Sequence, residues 1–388
     1  MFVWGCYRSY VIFFMKIGID ARMLGSGFGL ARYAQQLVEQ LQKFDKENQY
    51  VLFLRKDNFE SFQIKNPNFK KVLADIPWYS WEEQFDFKKI IKKENVDLMH
   101  FPHWNVPFFY TGRYVVTIHD LIMFHFPRPE ATTLGPIKFW FKDRAHRLLI
   151  RRAVKKAKHI LVTSEFTKQD VHKTLKVPFE KVTTTYQAPF TTIYNKQLTI
   201  NKSVGLEKFK INKPFVLYVG SAYPHKNLKG LLQAWKIFEN KHDLDYQLVL
   251  VGKGGYFYKL LEYSSEFREL KNKPILTGFV SDEELCLLYN KARLYVFPSL
   301  YEGFGLPPLE AMANDLPVAS ANGSCLPEVL GEGAIYFDPE NYEQMADTIY
   351  TGLIDENVRF ELKNRAREEL KKYSLEKLGY QTIAVYIK

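Results

Sequence analysis

Short apolar runs without strict alternation recur along this chain of 388 residues. Such runs are typical of strands covered on both faces, as in a parallel sheet packed between helices. Helix-like stretches separate several of them, including residues 30–43 and 228–238. The pattern therefore predicts an α/β chain built from doubly wound parallel sheets. The predicted strands are residues 16–20, 50–54, 97–101, 114–118 and 159–162 in the first half, and residues 215–219, 246–251, 274–278, 294–297, 317–320 and 334–337 in the second.

A change of composition divides these strands into two groups. Residues 191–201 are rich in Thr, Asn and Gln, which predicts a linker between two domains. The predicted segments are an extension (1–14), a first doubly wound domain (15–200), a second (201–372) and a final helix (373–388). Two such domains of similar size predict a cleft in which ligands bind. We expect translation to start naturally at Met15, which opens MKIGIDAR; the alternative is a short hydrophobic anchor at residues 1–14.

Overall composition limits the classes of protein to which the chain can belong. Hydrophobic residues make up 46% and charged residues 25% of the chain, which is ordinary for a soluble globular protein. Its three cysteines form no Cys-x2-Cys pair, so neither a disulfide framework nor a zinc site is predicted. No apolar run reaches the length of about 18 residues that a spanning helix needs. A cytoplasmic protein is the expectation.

The positive charge is concentrated in the first half of the chain. Residues 1–200 hold 31 basic and 18 acidic side chains, whereas the remaining residues hold 23 and 25. Segment 135–158 alone carries nine basic residues behind the aromatic run at 139–141. A basic helix with aromatic anchors favours contact with the inner, anionic face of a membrane, and no recognition motif for nucleic acid accompanies the charge. The alternative is a helix that packs on the sheet through residues 148–150, 153 and 154 and leaves a solvated basic face.

Residues 296–310, VFPSLYEGFGLPPLE, combine a strand end, a glycine loop and the start of a helix. Proline is at home in the first helical turn, so Pro307 and Pro308 predict a helix that begins directly after the loop. A helix N-terminus attracts anions through its N–H groups and its dipole. Glu302 lies in the loop, and Glu310 is expected in the first helical turn. The segment therefore suits a ligand that carries both phosphate and hydroxyl groups.

The two glutamates, seven residues apart around Gly303-Phe304-Gly305 and two prolines, resemble a known motif. It is the Glu-x7-Glu motif of retaining GT-B glycosyltransferases, in particular glycosyltransferase family 4, the group 1 glycosyl transferases. The resemblance implies two Rossmann-like domains, with the final helix crossing back onto the first. It also implies transfer of a hexose from a nucleotide sugar to a saccharide or lipid-linked acceptor with retention of configuration. The strings HKN and EGFGLPPLEAMA resemble mannosyltransferases, which implies GDP-mannose as the donor.

The same resemblance assigns a set of donor-binding positions. Glu310 would take both ribose hydroxyls, since a carboxylate has two acceptor oxygens, and Glu302 would lie nearer the transferred sugar as a catalytic residue. Many relatives carry an arginine where this chain has Ser221, so one cationic contact is missing or is supplied elsewhere. The implied donor-binding residues are Gly27, Gly29, Gly220, Ser221, Lys226, Asn227, Gly278, Phe304, Gly305, Leu306 and Glu310.

Lys226 follows the predicted strand 215–219, and Asn227 behind it has the residue type of a helix N-cap. In the family a basic residue at this position holds the donor diphosphate. A departing nucleoside diphosphate gains negative charge, which a lysine and helix N-termini can stabilise without a metal ion. Lys226 is thus a predicted catalytic residue, and no metal or cofactor is expected beyond the nucleotide sugar. The alternative is a solvated lysine at the end of a helix.

His119 and Asp120 end the predicted strand 114–118, and the carboxyl ends of parallel strands face the ligand crevice. The family carries a histidine near the donor sugar at such a position, so His119 is the third predicted catalytic residue; a structural histidine is the alternative. His100 and His103, in HFPHW, are expected with Asp120 to line the acceptor pocket.

Other enzyme classes find less support in the glycine motifs. The loop GSGFG at 25–29 fails the dinucleotide pattern G-x-G-x-x-G because Leu30 occupies its sixth position, and it can also be a plain tight turn. VGKGG at 251–255 lacks the Ser or Thr of a phosphate-binding P-loop. Glu328, in Leu-Pro-Glu, is expected to back the donor pocket. The alternatives for the whole chain are a sugar-nucleotide epimerase on the same fold and a basic binding protein with a degenerate site.

Overall fold

A computed structural model describes residues 14–25, 29–127, 135–190 and 205–388. Gly27, the first 13 residues of the predicted extension and the predicted linker at 191–201 lie outside these ranges. The expectations for these segments stay predictions.

The strands of the first half form one seven-stranded sheet in the order β3-β2-β1-β4-β5-β6-β7. The pairs β1–β2, β1–β4, β2–β3 and β4–β5 are all parallel, as the unalternating apolar runs predicted. The strands are β1 (Lys16–Asp20), β2 (Gln49–Leu54), β3 (Phe69–Leu73), β4 (Leu98–Phe101), β5 (Tyr114–Ile118), β6 (His159–Val162) and β7 (Val182–Thr184).

The strands of the second half form a six-stranded sheet in the order β10-β9-β8-β11-β12-β13. All of its neighbouring strands pair in parallel. Its central strands are almost completely buried, which places the core of this half on both faces of the sheet. The strands are β8 (Phe215–Val219), β9 (Gln247–Val251), β10 (Ile275–Gly278), β11 (Leu294–Phe297), β12 (Val318–Ala321) and β13 (Ala334–Phe337).

Helices connect the strands of both sheets, so the predicted α/β class is confirmed. Short 3-10 turns occur at Phe179–Lys181, Leu206–Phe209, Pro224–Lys226 and Gly331–Gly333, and a π-helix at Glu83–Phe87. The α-helices are α1 (Gly29–Phe44), α2 (Lys56–Phe59), α3 (Lys88–Lys93), α4 (Ile122–His125), α5 (Gly135–Lys156), α6 (Glu165–Leu175), α7 (Leu228–Lys241), α8 (Tyr256–Glu262), α9 (Ser265–Arg268), α10 (Asp282–Lys291), α11 (Leu306–Ala313), α12 (Leu326–Leu330), α13 (Tyr342–Ile354), α14 (Glu356–Leu370) and α15 (Leu375–Ile387).

Two strands, β3 and β7, were not predicted from the sequence. β3 is FKKVL, a partly exposed edge strand whose two lysines interrupt the apolar run. β7 is only three residues long and lies at the opposite edge of the same sheet. Both are edge strands, which bury little surface and therefore carry a weak apolar signal.

The chain divides into two compact units. The first comprises the described residues up to Thr117, with Arg152–Ile160 and Gly379–Lys388. The second comprises the described residues of Ile118–Arg151 and Leu161–Leu378. The predicted domain boundaries at 200/201 and 372/373 remain predictions.

The final helix α15 ends within the first unit, as the resemblance implied. The Tyr380 ring lies 4.8 Å from the Phe44 ring at the end of α1, and Tyr386 bonds a buried histidine of β4. A Cβ at Gly379 would lie 2.9 Å from Gln40, so the glycine permits a close approach of α15 to α1.

Within the described residues, no helix combines the length and apolarity that crossing a membrane requires.

Candidate active site

The predicted donor-binding loops meet where the strand order of the six-stranded sheet reverses. β8 has β9 on one side and β11 on the other. Loops that leave the carboxyl ends of two such strands run in opposite directions and leave a crevice between them. Lys226 lies on the loop after β8, and Glu302 lies on the loop after β11. The fold therefore brings together two predicted catalytic residues that are 76 positions apart.

The Lys226 ammonium forms an ion pair with Oε1 of Glu302. The two side chains are only 16% and 10% exposed, and the Lys226 nitrogen also lies 5.5 Å from the centre of the Phe297 ring. Leaving one partner of such a sheltered pair alone is costly, so each charge holds the other in place. The carboxylate thereby fixes the ammonium within the crevice rather than in solvent.

Local backbone structure explains how Lys226 reaches this position. Pro224–Lys226 forms a 3-10 turn, and Asn227 takes a left-handed conformation with φ 56° before α7 begins. Asn227 occupies the N-cap position, as predicted, but its side chain does not cap the helix. Its Nδ2 instead donates to the Pro339 carbonyl at 2.8 Å. The sharp turn between β8 and α7 is thus fixed at the start of α7.

Three buried hydroxyl groups hold the residue that follows Glu302. The side-chain oxygens of Thr163, Ser164 and Thr167 lie 3.1, 2.7 and 3.1 Å from the Gly303 carbonyl oxygen. All three residues are 0% exposed, so no water competes for that carbonyl at these positions. We call this group the hydroxyl triad. Residue spacing gave no signal for it, because α6 meets the loop after β11 only in the folded chain.

His119 lies directly against the same loop. A Cβ built on Gly303 would lie 1.9 Å from the His119 carbonyl oxygen, so only glycine permits this approach. The Thr163 hydroxyl donates to the His119 carbonyl at 3.0 Å. The end of β5 is therefore adjacent to Glu302 through Gly303. The predicted catalytic role of the His119 imidazole stays a prediction, and the carboxylate of Asp120 accepts from the Ile122 N–H at 2.9 Å, at the start of α4.

A buried polar network fixes the residue that precedes Glu302. Tyr301 donates its hydroxyl to Asp170 of α6. Nε2 of His125 lies 2.9 Å from the same carboxylate, and the Thr174 hydroxyl donates to it at 2.7 Å. Burial, and then the hydrogen bond to Asp170, raise the pKa of Tyr301 well above its ordinary value. Tyr301 therefore stays a neutral donor, and the loop is anchored on both sides of Glu302.

Glu328 contacts the start of α6, and its predicted place behind the donor pocket stays a prediction. Its carboxylate accepts from the N–H groups of Glu165 and Phe166, at 2.7 and 2.8 Å, and from the Tyr186 hydroxyl at 3.0 Å. These are orphan donors of the first turn of α6, and a carboxylate there also complements the helix dipole. Glu328 thus orients the helix that carries part of the hydroxyl triad.

The glycine loop ends at a helix, as predicted, with Gly305 at the N-cap of α11 and φ 90°. The position predicted for Glu310 was wrong: it is the fifth residue of the helix and lies in its second turn. The helix begins at Leu306, one residue before the two prolines. Glu310 is 3% exposed, and its Oε2 accepts from the Tyr289 hydroxyl at 3.2 Å.

The remaining predicted donor residues divide into backbone positions and a core side chain. Gly220 donates its N–H to Val251 at 2.9 Å, and Gly278 ends β10 with φ 73°. The Ser221 carbonyl accepts from the Tyr218 hydroxyl at 2.8 Å. Phe304 is 5% exposed and belongs to the core. Its ring packs at 5.7 Å from that of Tyr373, so any donor contact of this residue would use its backbone.

Leu306 and Gly29 are the first residues of α11 and α1, where a helix offers unpaired N–H groups.

Among the described residues, no group of three His, Cys, Asp or Glu side chains lies close enough to hold a metal ion.

The two histidines of HFPHW lie in different environments. His100 lies inside β4, within the predicted strand 97–101, and it is 0% exposed. Its ring nitrogens pair with the Tyr386 hydroxyl at 2.6 Å and the Thr117 hydroxyl at 2.8 Å. The expectation that it lines an acceptor pocket is corrected: His100 is a core residue that joins β4, β5 and α15. His103 is half-buried and borders a cavity of about 10 Å³ in the first unit, together with Asp20 and Asn105.

Two protein-family models match the chain. The model "Glycosyltransferase Family 4" matches residues 29–188, and the model "Glycosyl transferases group 1" matches residues 204–369. Together they cover every strand of the two sheets except β1.

Curated proteins of known name are similar over most of the chain. The O-antigen chain mannosyltransferase RfbU of Salmonella typhimurium is 30% identical over 296 residues, which cover 74% of this chain and 76% of that protein. The O-antigen chain mannosyltransferase B of Escherichia coli is 30% identical over 292 residues, or 74% of each chain.

Solved structures share the fold at low sequence identity. HepE of Anabaena, in complex with UDP and glucose, has a TM-score of 0.71 at 17% identity, and the match covers 96% of this chain and 99% of that one. The sucrose-phosphate synthase of Thermosynechococcus elongatus has a TM-score of 0.70 at 19% identity, over 96% and 98% of the two chains. The two parallel sheets, these neighbours, the family models and the mannosyltransferase relatives lead to one conclusion: this chain has the GT-B fold and belongs to glycosyltransferase family 4.

Proposed function

We propose that this glycosyltransferase moves mannose from GDP-mannose to a saccharide or lipid-linked acceptor with retention of configuration. The Lys226–Glu302 ion pair is the observation that carries the proposal, because it puts a cation and a carboxylate in the crevice of the six-stranded sheet. The choice of mannose is supported by the two O-antigen mannosyltransferases that match about three quarters of this chain.

The bond changes define what the site has to do. The bond between the anomeric carbon and the β-phosphate oxygen breaks, a bond to the acceptor oxygen forms, and the acceptor hydroxyl loses its proton. GDP leaves with more negative charge than it had in the donor. Lys226 would stabilise this charge, since preorganised cations act most strongly where charge develops. An ammonium has three N–H donors, so Lys226 can bind a phosphate oxygen while it keeps one bond to Glu302.

Glu302 and His119 would act on the sugar. The hydroxyl triad and Tyr301 hold Glu302 from both sides, so the site can orient the sugar without first ordering a loop. Glu310 would bind the ribose. No metal ion would be needed, because Lys226 and backbone N–H groups supply the positive charge.

Turnover of sugar nucleotides tests the proposal directly. The protein is incubated with GDP-mannose, UDP-glucose and dTDP-glucose, and released nucleotide is measured with and without mannose oligosaccharides as acceptors. We expect release from GDP-mannose, acceleration by the acceptor and a product with the anomeric configuration of the donor by NMR. Release from another donor alone would overturn the assignment of GDP-mannose. Interconversion of the free nucleotide sugar, with no transfer, would identify an epimerase instead.

We further propose that the start of α5 contacts an anionic membrane surface, which would place the enzyme at the inner face of the cytoplasmic membrane. Ile137, Trp140, Phe141 and Leu148 are 73%, 52%, 63% and 58% exposed, although all are large and apolar. Only later in the helix does the chain bury side chains such as Ile150. An amphipathic helix that exposes aromatic residues next to cations is suited to a lipid interface.

The basic residues of α5 fall into two groups. Arg147 pairs with Asp143 at 2.6 Å, and Arg152 donates to the Phe108 carbonyl at 2.8 Å, so both serve the folded chain. Lys138, Lys142 and Arg144 are exposed around the aromatic residues. Each cation near an anionic surface adds about 1 kcal/mol of attraction.

Vesicle sedimentation tests this contact. The protein should pellet with anionic vesicles at low salt and be released as salt rises, whereas the triple variant with Gln at 138, 142 and 144 should remain in the supernatant. The matched control replaces Lys92, Lys93 and Lys259 by Gln, three exposed lysines outside α5, with the same loss of charge. Equal binding of both variants would refute a contact through α5.

A further inference from the structure

An exposed group of aromatic rings lies at the carboxyl edge of the seven-stranded sheet. Tyr79, Trp81 and Phe85 follow β3, and they are 60%, 75% and 49% exposed. Phe109, on the segment after β4, is 42% exposed, and Trp104 before it is half-buried. We call these five residues the aromatic strip. Large apolar groups exposed side by side usually mark a binding surface.

Neighbouring rings of the strip lie 5.3–6.4 Å apart, and their planes are inclined to each other by 17–37°. The rings of Trp81 and Phe85 are 6.4 Å apart at 17°, and those of Phe85 and Phe109 are 5.3 Å apart at 25°. The rings of Tyr79 and Trp104 are 5.6 Å apart at 37°. The strip therefore presents ring faces rather than a deep apolar pocket.

A buried carboxylate fixes the two chain segments of the strip. Glu83 is 0% exposed, and its Oε2 accepts from the Tyr79 N–H at 2.7 Å. Its Oε1 accepts from Arg22 at 2.6 Å and from Nδ2 of Asn105 at 2.9 Å. Tyr79 itself is held in the left-handed region at φ 61°. A strained backbone of this kind costs about 1–3 kcal/mol and persists where the surroundings over-determine it, often at ligand sites.

Phe85, the third residue of the strip, lies in a π-helix. Glu83–Phe87 forms one wide turn, a geometry that is rare and frequently located at functional sites. Phe87 is fully buried and meets the Phe53 ring at 5.6 Å, whereas Phe85 is half exposed. The Gln84 carboxamide oxygen accepts from the Phe108 N–H and ties this turn to the segment of Phe109. The strip is thus ordered before any ligand arrives.

The charges beside the strip indicate what kind of ligand fits. Glu82 and Asp86 are exposed within the same segment, and Asp86 pairs with Lys89 at 2.8 Å. Residues 79–86 hold three acidic and no basic side chains, so this segment, in contrast to α5, offers no cation to an anionic lipid surface. A neutral sugar has C–H faces that pack on aromatic rings and hydroxyl groups that bond carboxylates. Polar groups continue from the strip towards β1 and β4: Asp20, His103 and Asn105 border the small cavity next to Trp78.

We propose that the aromatic strip is a binding platform for the neutral hexose chain of the acceptor, away from the hydroxyl group that receives the new sugar. This inference rests on the proposed function only in taking the bound saccharide to be the acceptor. Rigid aromatic side chains provide contact area at a low cost in conformational entropy. The platform would make affinity rise with the length of the saccharide, because longer chains reach more rings.

Saccharide binding measured without donor tests the platform. Mannose and glucose oligosaccharides of increasing length are titrated by calorimetry into the wild type, Trp81→Ala, Phe85→Ala and the double variant. We expect the double variant to bind the longest ligands about tenfold more weakly, which equals about 1.4 kcal/mol, and single sugars no differently from the wild type. The matched control is Phe360→Ala on α14, where the ring is 67% exposed. All the replaced side chains are exposed, so melting temperatures should stay close to that of the wild type.

Kinetics separate this inference from the proposed function. In the double variant, KM for a long acceptor should rise while KM for GDP-mannose and its hydrolysis without acceptor stay unchanged. The proposed platform is refuted if the double variant behaves like Phe360→Ala in both assays, or if the wild type binds no oligosaccharide of either series. This conclusion holds whichever nucleotide sugar is the donor. If the double variant instead loses vesicle binding with unchanged saccharide affinity, the strip is a membrane contact and the inference is overturned. Saccharide binding through Trp81 without turnover of GDP-mannose would refute the proposed donor and leave the platform standing.

Discussion

Replacing Gly303 by alanine tests whether the contact with His119 positions Glu302. The new Cβ would lie 1.9 Å from the His119 carbonyl oxygen and 2.9 Å from Cβ of Asp120. An ordinary contact is 3.4 Å or more, so the loop has to move by about 1.5 Å. The obstacle is a backbone carbonyl, which cannot rotate away as the end of a flexible side chain can.

A shift of this size moves the Gly303 carbonyl away from the hydroxyl triad. Its three contacts, at 2.7–3.1 Å, would lengthen beyond hydrogen-bond range. The carbonyl oxygen has two lone pairs and accepts at most two of these bonds, each of which contributes about 1 kcal/mol. The second unit should therefore lose roughly 2 kcal/mol of stability, or roughly 4–8 °C in melting temperature. Glu302 is the neighbouring residue and moves with the loop. A misplacement of about 1 Å at a reacting group costs on the order of 10² in rate.

The assay combines thermal unfolding with steady-state transfer from GDP-mannose. Gly254→Ala is the matched control, because a Cβ there meets no atom within 4 Å. It should retain the melting temperature and kcat of the wild type. If Gly303→Ala keeps kcat within twofold of the wild type, then the contact between Gly303 and His119 does not position the catalytic carboxylate.

Four further outcomes are expected. Lys226→Ala should lower kcat by about 10²–10³, or about 3–4 kcal/mol, because a preorganised charge next to the leaving diphosphate is lost; wild-type kcat would contradict the diphosphate assignment. Glu310→Ala should weaken GDP binding in calorimetry, whereas Glu302→Ala should mainly lower kcat; unchanged GDP affinity in Glu310→Ala would remove the ribose role. Ser164→Ala, which deletes the shortest contact to the Gly303 carbonyl, should lower the melting temperature and kcat together, and an effect on neither would discount the hydroxyl triad. Activity should survive EDTA; loss of turnover that Mg²⁺ or Mn²⁺ restores would refute metal independence.

Sequence patterns predicted the strands best where burial is most continuous. β11 was predicted to the residue because its four side chains are all buried and apolar. β3 was missed because Lys70 and Lys71 interrupt its apolar run at a sheet edge. The glycine loop before α11 was predicted from Pro307 and Pro308, but the helix starts one residue earlier, which moved Glu310 out of the first turn.

Fewer features of the candidate site could be predicted from sequence patterns. Lys226 and Glu302 were singled out through the resemblance to a family, and their ion pair exists only because β8 and β11 are neighbours in the sheet. The hydroxyl triad comes from the start of α6 and the two residues before it, and serine and threonine residues are too common for spacing to identify them. Phe304 was assigned to donor binding from its place in the motif, yet apolar burial determines its position in the core. A motif thus indicates which backbone approaches a ligand, but not which side chains of that motif do.

The loops around the crevice offer few other positive groups to a diphosphate, so the charge of Lys226 would be especially important for the proposed reaction. Pro307 and Pro308 lie in the first turn of α11, and neither has an N–H group. Two of the four donors that a helix N-terminus normally offers to an anion are therefore missing. Ser221 occupies the position at which the resemblance implies an arginine, so the side chain at this position supplies no cation. Glu302 also cancels part of the charge of Lys226 in the absence of a donor. In the proposed reaction the diphosphate would then depend on the ammonium itself, so replacing Lys226 should cost more activity than removing any single backbone donor of this loop.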